Sequence, residues 1–300
     1  MGQKIVAIFV VYHPDIEFLK KSLHSINNQV DKTYIIDNSA SGDIQDAIIS
    51  FFDKLNHIEF ISLPINVGIA KAQNIGILKA IEAQASFSLL SDQDTIYPSN
   101  YIKSMMANFN SIVDNCNVAA IAPNFQELNK NIQEGYFILE GVNSRALESK
   151  APIERVPQVI ASGMIIQNSV ISAVGLMDEL LFIDWVDFEW CWRAGSMGYD
   201  IVGCNNVIIN HTLGDSVIEI HDKKYSSHSP ERNYYIVRNG ISIALTKKYL
   251  TFKMRWFIFL KSIRYMIAFT CLGKRPLLNL VLCSKGLYHG LFGRLGPLAK

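Results

Sequence analysis

A chain of 300 residues that is 49% hydrophobic and 18% charged can bury a sizeable core and is too apolar to be disordered. Its net charge of +1 conceals an asymmetry: residues 1–231 hold all 27 acids against 15 Lys and Arg, a net of −12, whereas residues 232–300 hold 13 Lys and Arg and no acid. The five cysteines (116, 191, 204, 271 and 283) have no CxxC spacing, so they suggest neither a cysteine zinc site nor a disulfide framework, and a reducing compartment is the simpler reading.

The chain begins with an apolar run, Ile5 to Tyr12, that lacks a small-residue cleavage site and runs at once into His-Pro-Asp; it reads as a buried first strand, not a signal peptide. An amphipathic helix follows in DIEFLKKSLHSINNQ, then a strand in KTYIID, a helix in DIQDAIISFFDKL (residues 43–55) and a strand in HIEFISL. A helix in IAKAQNIGILKAIEAQ and a strand in SFSLLSD complete the first half. Such alternation implies a parallel α/β sheet, in which ligands gather beyond the carboxyl ends of the strands. Each of those ends opens here into a polar or Gly-bearing loop: Tyr12-His13-Pro14, IDNSASGD, LPINVGIAKAQNIG and SDQD.

In SDQD, Asp92 and Asp94 stand two positions apart. In extended backbone they point to the same side, and two converging carboxylates call for a hard divalent cation, Mg²⁺ or Mn²⁺, that also holds a phosphate. A turn ahead of Pro98 would use the same residues. Asp37 and Asn38 suit either an Asx turn or the edge of a nucleobase or ribose. Asn66, Gly68 and Asn74 allow close backbone approach and amide contacts at a helix start, without forming GxGxxG.

Taken in order, VVYHPD, IIDNSA, NVGIAKAQNIGI, LLSDQD, ASGMII and FIDWVDFEWCWRAGSMGY resemble the inverting glycosyltransferases of family 2 with the GT-A fold, and among them the bacterial rhamnosyltransferases of surface polysaccharide (O-antigen) assembly. The resemblance spans roughly residues 4–245. It implies an α/β fold with a mostly parallel central sheet flanked by helices, and a catalytic domain over residues 1–245, with a donor half to about 123 and an acceptor half from about 155. It makes Asp92-Gln93-Asp94 the DxD element, with Asp94 on the metal and Asp92 near the metal or ribose. Tyr12, Asp37, Asn38, Asn66, Gly68 and Asn74 then surround the donor's base and ribose, and Ser162 and Gly163 of ASGMII belong with the acceptor or diphosphate. The implied donor is dTDP-L-rhamnose, with UDP-galactofuranose or another nucleotide hexose as the alternative, and the implied acceptor is a lipid-linked saccharide. A metal-dependent nucleotidyltransferase and a non-catalytic sugar-binding relative are the competing classes.

Direct displacement at an anomeric carbon needs a general base opposite the leaving diphosphate. Asp184, Asp187 and Glu189 lie close together in FIDWVDFEWCWRAG, and the resemblance favours Asp187 over Glu189, with Trp185 as a sugar platform. The resemblance also sets Glu189 and Arg193 toward the acceptor or diphosphate; a Glu189–Arg193 pair on the surface of an acid-rich helix start is the structural alternative. His211 ends an apolar run and is read either as a third metal ligand or as a rim hydrogen-bonding residue. Arg232, Tyr235 and Arg238, at the charge boundary, could grip a diphosphate or face water from a helix.

Residues 246–300 interleave basic with bulky apolar residues, and no uncharged stretch reaches the ~18 residues of a spanning helix. This region reads as basic amphipathic helices on an anionic membrane, placing the chain peripherally at the cytoplasmic face of the bacterial inner membrane, with no nucleic-acid partner. A helical subdomain docked on the core is the alternative.

Overall fold

A computed structural model of the chain describes residues 3–40, 57–127, 132–133, 136–140, 143–147, 151–211, 216–220, 223–273 and 275–298. The apolar run IVAIFVV becomes β1 (Ile5–Val11), buried at every position because helices cover both faces of the sheet. Asp15 then caps α1 (Ile16–Asn27), accepting from the Phe18 N–H at 3.0 Å. β2 (Lys32–Asp37), β3 (Ile58–Ser62), α2 (Ile69–Glu82), β4 (Phe87–Asp92), α3 (Tyr101–Ile112) and β5 (Val118–Glu127) follow. The alternation read from the sequence is therefore present, except that the helix expected over residues 43–55 lies outside the described residues.

The principal sheet has the order β3-β2-β1-β4-β10-β5-β11-β9, where β9 is Ile153–Arg155, β10 Ile165–Gln167 and β11 Asp200–His211; β6 (Ile132–Gln133) adds to β5. β1 is parallel to β2 and β4, β2 to β3, and β5 to β11. β10 runs antiparallel between β4 and β5. That reversal sets the stage for the site, because the start of an antiparallel strand lies at the rim where its parallel neighbours end. Ser162 and Gly163, just before β10, thereby reach the carboxyl end of β4, where the Gly163 N–H donates to Leu90 O at 2.9 Å. Two antiparallel hairpins, β7 (Phe137–Glu140) with β8 (Asn143–Ala146) and β12 (Ser216–Ile220) with β13 (Lys223–Ser227), complete the strands.

After a short α4 (Ile171–Val174) comes the acidic helix α5 (Val186–Ser196). α6 (Pro230–Thr246), α7 (Phe252–Leu272) and α8 (Pro276–Leu291) then pack on one another: Val237, Ile241 and Cys283 are buried together with Phe259, Ile263 and Met266 around them. α8 crosses α6 closely at two glycines, since a Cβ on Gly286 would stand 2.7 Å from Tyr234 O and one on Gly290 2.6 Å from Arg238 O. α6 runs on through residue 245, and the basic helices described beyond it pack against α6. Among the described residues no helix is long and apolar enough to cross a membrane.

Candidate active site

The carboxyl ends of β1, β2 and β4 are tied into one rim. The Tyr12 N–H donates to Gln93 Oε1 at 2.8 Å, the His13 N–H to Ser39 Oγ at 2.8 Å, and the Asn38 N–H to Val11 O at 2.8 Å. Gln93 thus holds β1 against the turn that carries Asp92 and Asp94. Asp37 is fully buried; its Oδ1 accepts from the Ser39 N–H at 2.9 Å, while its Oδ2 has no hydrogen-bond partner among the described residues. A buried acceptor left in this condition is costly unless a donor is brought to it.

Asn38 donates from Nδ2 to Asn66 Oδ1 at 2.9 Å and accepts from the Val67 N–H at 2.8 Å, and Asn66 Oδ1 also takes the Gly68 N–H. These contacts shape the loop entering α2. Gly68 has φ +84°, and a Cβ there would lie 2.6 Å from Phe182 O, so the glycine permits both the backbone conformation and the approach of the 182 loop. Asn74, expected to line the donor pocket, is instead buried and committed: it donates to Met177 O and Glu179 Oε1 at 3.0 Å and accepts from the Met177 N–H at 2.9 Å. It clamps that loop to α2.

β4 ends at Asp92, and Gln93 and Asp94 form a turn. The same-side argument from extended backbone therefore does not apply to the acidic pair; both carboxylates are instead half-buried on one tight loop. Burial raises the Tyr97 phenol well above its ordinary value, and the charges of Asp92 and Asp94 add to the rise against its hydrogen bond to Ser91. Thr95, next in the chain, is buried with its Oγ1 2.5 Å from Ser162 Oγ. Ile96 exchanges backbone hydrogen bonds with Asn210 at 3.2 and 3.3 Å, which sets the end of β11, and with it the backbone of His211, beside the acidic turn. The His211 side chain lies outside the described residues. Among the described residues no three His, Cys, Asp or Glu side chains gather as a ligand set.

The acidic segment is built on an unusual loop. Phe182, Asp184 and Trp185 all take positive φ, at 67°, 64° and 66°, a region that costs a non-glycine residue on the order of 1–3 kcal/mol. α6 holds the loop in place: Asn239 Nδ2 donates to Leu181 O, Ile183 O and Asp184 O at 2.7–3.1 Å. Arg238 donates to Leu180 O, Leu181 O and Gly296 O. Arg232 grips the Asp184 carboxylate at 3.1 Å, and Phe182 stacks on Tyr235 with ring centroids 5.0 Å apart. The product of this clamp is the position of Asp187, half-buried in the first turn of α5. Asp187 accepts from the Ala161 N–H at 3.1 Å and the Phe188 N–H at 2.9 Å, so it stands beside Ser162 and Gly163. Burial pushes its pKa up to about 6, the two N–H groups pull it down, and Asp92 and Asp184 add to the rise. A carboxyl poised there can take a proton near neutrality.

Other expectations are corrected. Glu189 is fully buried, bonded by Arg193 at 2.9 and 3.1 Å and by the Tyr249 hydroxyl at 2.5 Å, with Lys247 at 3.4 Å. With no exposed surface it cannot meet an acceptor hydroxyl, and the expected Glu189–Arg193 pair exists but lies inside. Arg193 also serves the Val174 and Leu176 carbonyls. Arg238 is fully buried among its carbonyl partners, and burial lowers its pKa, so it orders the loop and cannot present a fork to a diphosphate. Tyr235 is buried, its hydroxyl accepting the Leu298 N–H. Trp185 is buried with its indole N–H on Ile236 O, yet one face lines a cleft. Asn239 carries no signal in the sequence, where Arg-Asn-Gly lies inside a helix.

The geometry can be set beside known proteins. Residues 7–161 match the family described as Glycosyl transferase family 2. The dTDP-rhamnosyl transferase RfbF of Shigella flexneri is 30% identical over 246 residues, 80% of this chain and 79% of that one. The chain belongs to glycosyl transferase family 2. It is a glycosyltransferase, and its fold is that of solved relatives. Staphylococcus aureus TarS 1–349 in complex with UDP-GlcNAc superposes with TM-score 0.58 at 14% identity, over 96% of this chain and 81% of that one. GalNAc-T7 with UDP, GalNAc and Mn²⁺ superposes with TM-score 0.60 at 14% identity over 89% of this chain, which spans 57% of that protein's chain.

Proposed function

We propose that this glycosyltransferase is an inverting, cation-dependent enzyme that moves L-rhamnose from dTDP-L-rhamnose to a lipid-linked saccharide in surface-polysaccharide assembly. The observation that carries the reading is the meeting of three segments on one rim: the Asp92–Asp94 turn, Ser162 beside Thr95, and Asp187 on the Ala161 N–H. The donor sugar is taken from the relative that bears the name dTDP-rhamnosyl transferase.

Asp37 offers its unpaired Oδ2 to an N–H of the nucleobase or a ribose hydroxyl, and the turn at Tyr12 and Gln93 forms the neighbouring wall. Asp92 and Asp94, with His211 as a third ligand, would hold Mg²⁺ or Mn²⁺, because carboxylate oxygens suit a hard cation. Bound there, the cation supplies charge for the departing diphosphate. Asp187 removes the proton of the acceptor hydroxyl as that oxygen bonds to the anomeric carbon and the bond to the nucleoside diphosphate breaks on the opposite side.

The C-terminal helices favour a membrane surface. On α8 the residues turned inward are Asn279, Cys283, Gly286 and Gly290, while Leu277, Leu280, Val281, Tyr288 and Leu291 are exposed at helical spacing on the other side. Exposed Lys253, Arg264, Arg275, Lys285 and Arg294 accompany this apolar stripe, a combination suited to peripheral binding at an anionic leaflet. The inner face of the bacterial cytoplasmic membrane has that charge and holds lipid-linked acceptors.

A donor screen tests the reading. Purified enzyme is given dTDP-L-rhamnose, UDP-galactofuranose and other nucleotide hexoses with membrane lipid extract, with and without EDTA. Release of dTDP together with rhamnose transfer, abolished by EDTA, is expected. Release of inorganic diphosphate would instead mark a nucleotidyltransferase, and donor binding without turnover a sugar-binding relative.

A further inference from the structure

We infer that α7 completes an acceptor subsite: a cleft of about 280 Å³ between the acidic segment and α7 binds a pyranose ring bearing an anionic oxygen group, with Lys261 as the cation. The inference rests on the transferase reading and extends it to the acceptor. Asp184, Trp185 and Phe188, the residues on either side of Asp187, form one wall and Lys261, Tyr265 and Phe269, successive turns of α7, the other, with His228 and Ile236 completing the lining. The volume is near the lower end of the roughly 300–1,000 Å³ of small-molecule pockets and fits a single sugar ring.

Both walls are aromatic. Trp185 and Phe188 meet edge to face with centroids 6.3 Å apart, and Tyr265 stacks on Phe269 at 5.5 Å. Such faces suit the C–H face of a pyranose. Among them sits one ammonium: Lys261 Nζ lies 5.8 Å from the Trp185 ring, 5.7 Å from Phe257 and 5.6 Å from Tyr265. Lys261 makes no ion pair among the described residues, because the carboxylate in the wall, Asp184, is held by Arg232. A neutral sugar would leave the ammonium without a counter-charge, and a hydrocarbon tail would give it no use. The helix that carries it is fixed, since Ser262 packs where a Cβ on Gly240 would stand, 2.0 Å from its Oγ and 3.3 Å from Trp185.

The anionic group has two sources of shared chemistry: the phosphate at the reducing end of a lipid-diphosphate saccharide, or the carboxylate of a uronic acid. Binding to the full chain is measured by saturation-transfer NMR with glucose, glucose 1-phosphate, glucuronate and inorganic phosphate, with dTDP affinity as the separate check on the donor site. At least one anionic sugar should bind at least tenfold tighter than glucose and than phosphate; which of the two does so names the source. Lys261→Met should abolish that preference and Lys261→Arg keep it, both with unchanged dTDP affinity. Equal binding of all four probes, or a preference that survives Lys261→Met, overturns the subsite. Failure of the wild type to bind dTDP would count against dTDP-L-rhamnose as donor, and the sugar comparison is read independently of it.

Discussion

At Asp187 two demands pull in opposite directions. A carboxyl whose pKa is raised from 3.8 to about 6 holds its proton more tightly folded than unfolded, so its contribution to stability is full below pH 4 and is lost as pH rises through about 6. At pH 7 the ionised group is a burden on the order of 3 kcal/mol. Asp187→Asn should therefore raise the melting temperature at pH 7 in cation-free buffer, with the gain vanishing near pH 4 in a pH series of thermal melts. The same variant should lower transfer by roughly 10²–10⁴ while leaving dTDP affinity intact. Because the base must be ionised, wild-type kcat/KM should fall as pH drops through about 6. Glu189 gives the opposite pattern. Breaking its buried pair with Arg193 costs on the order of 3 kcal/mol, so Glu189→Gln should lower the melting temperature while the folded fraction keeps kcat. An active Asp187→Asn beside a folded, inactive Glu189→Gln would reverse the two roles.

One helix, α6, keeps the strained 182–185 loop in its shape. Asn239→Ala removes three hydrogen bonds to loop carbonyls and should cost about 1–3 kcal/mol in denaturant melts. It should also lower kcat, although Asn239 touches no reacting atom; unchanged kcat at the lower stability would show that the loop holds itself. This clamp marks where sequence reading ends. Strands β1, β2 and β4 were legible because apolar runs end in polar punctuation, whereas Asp92, Asp94 and Asp187 stand out by residue type and by the family resemblance, and their roles belong to the proposed function. Asn74, Glu189 and Arg238 have the same side-chain chemistry as ligand-binding residues, and only their burial against Met177, Arg193 and the 180–184 carbonyls separates the roles. Positive φ at Phe182, Asp184 and Trp185 is imposed by tertiary contacts that no local pattern announces.

Over the whole molecule, the C-terminal helices are joined to the catalytic rim through Arg238, Gly296 and the 180 loop, so truncating residues 250–300 should destabilise the core as well as remove any membrane contact. Surface substitution separates the two effects. Leu277→Ser, Val281→Ser and Phe292→Ser together alter side chains that are 78%, 62% and 67% exposed, and should leave the melting temperature nearly unchanged. Flotation with anionic vesicles should fall sharply for this variant, and for the wild type in high salt. Undiminished flotation would place the membrane contact elsewhere. The basic, acid-free composition of this region was plain in the sequence; its docking was not, because the glycine crossings at Gly286 and Gly290 become visible only when α6 lies against them. The most direct test of the account is the anomeric configuration of the sugar transferred from dTDP-L-rhamnose, read by NMR of the product. Single displacement with Asp187 as base predicts a configuration opposite to the donor's, and a product of retained configuration would contradict it.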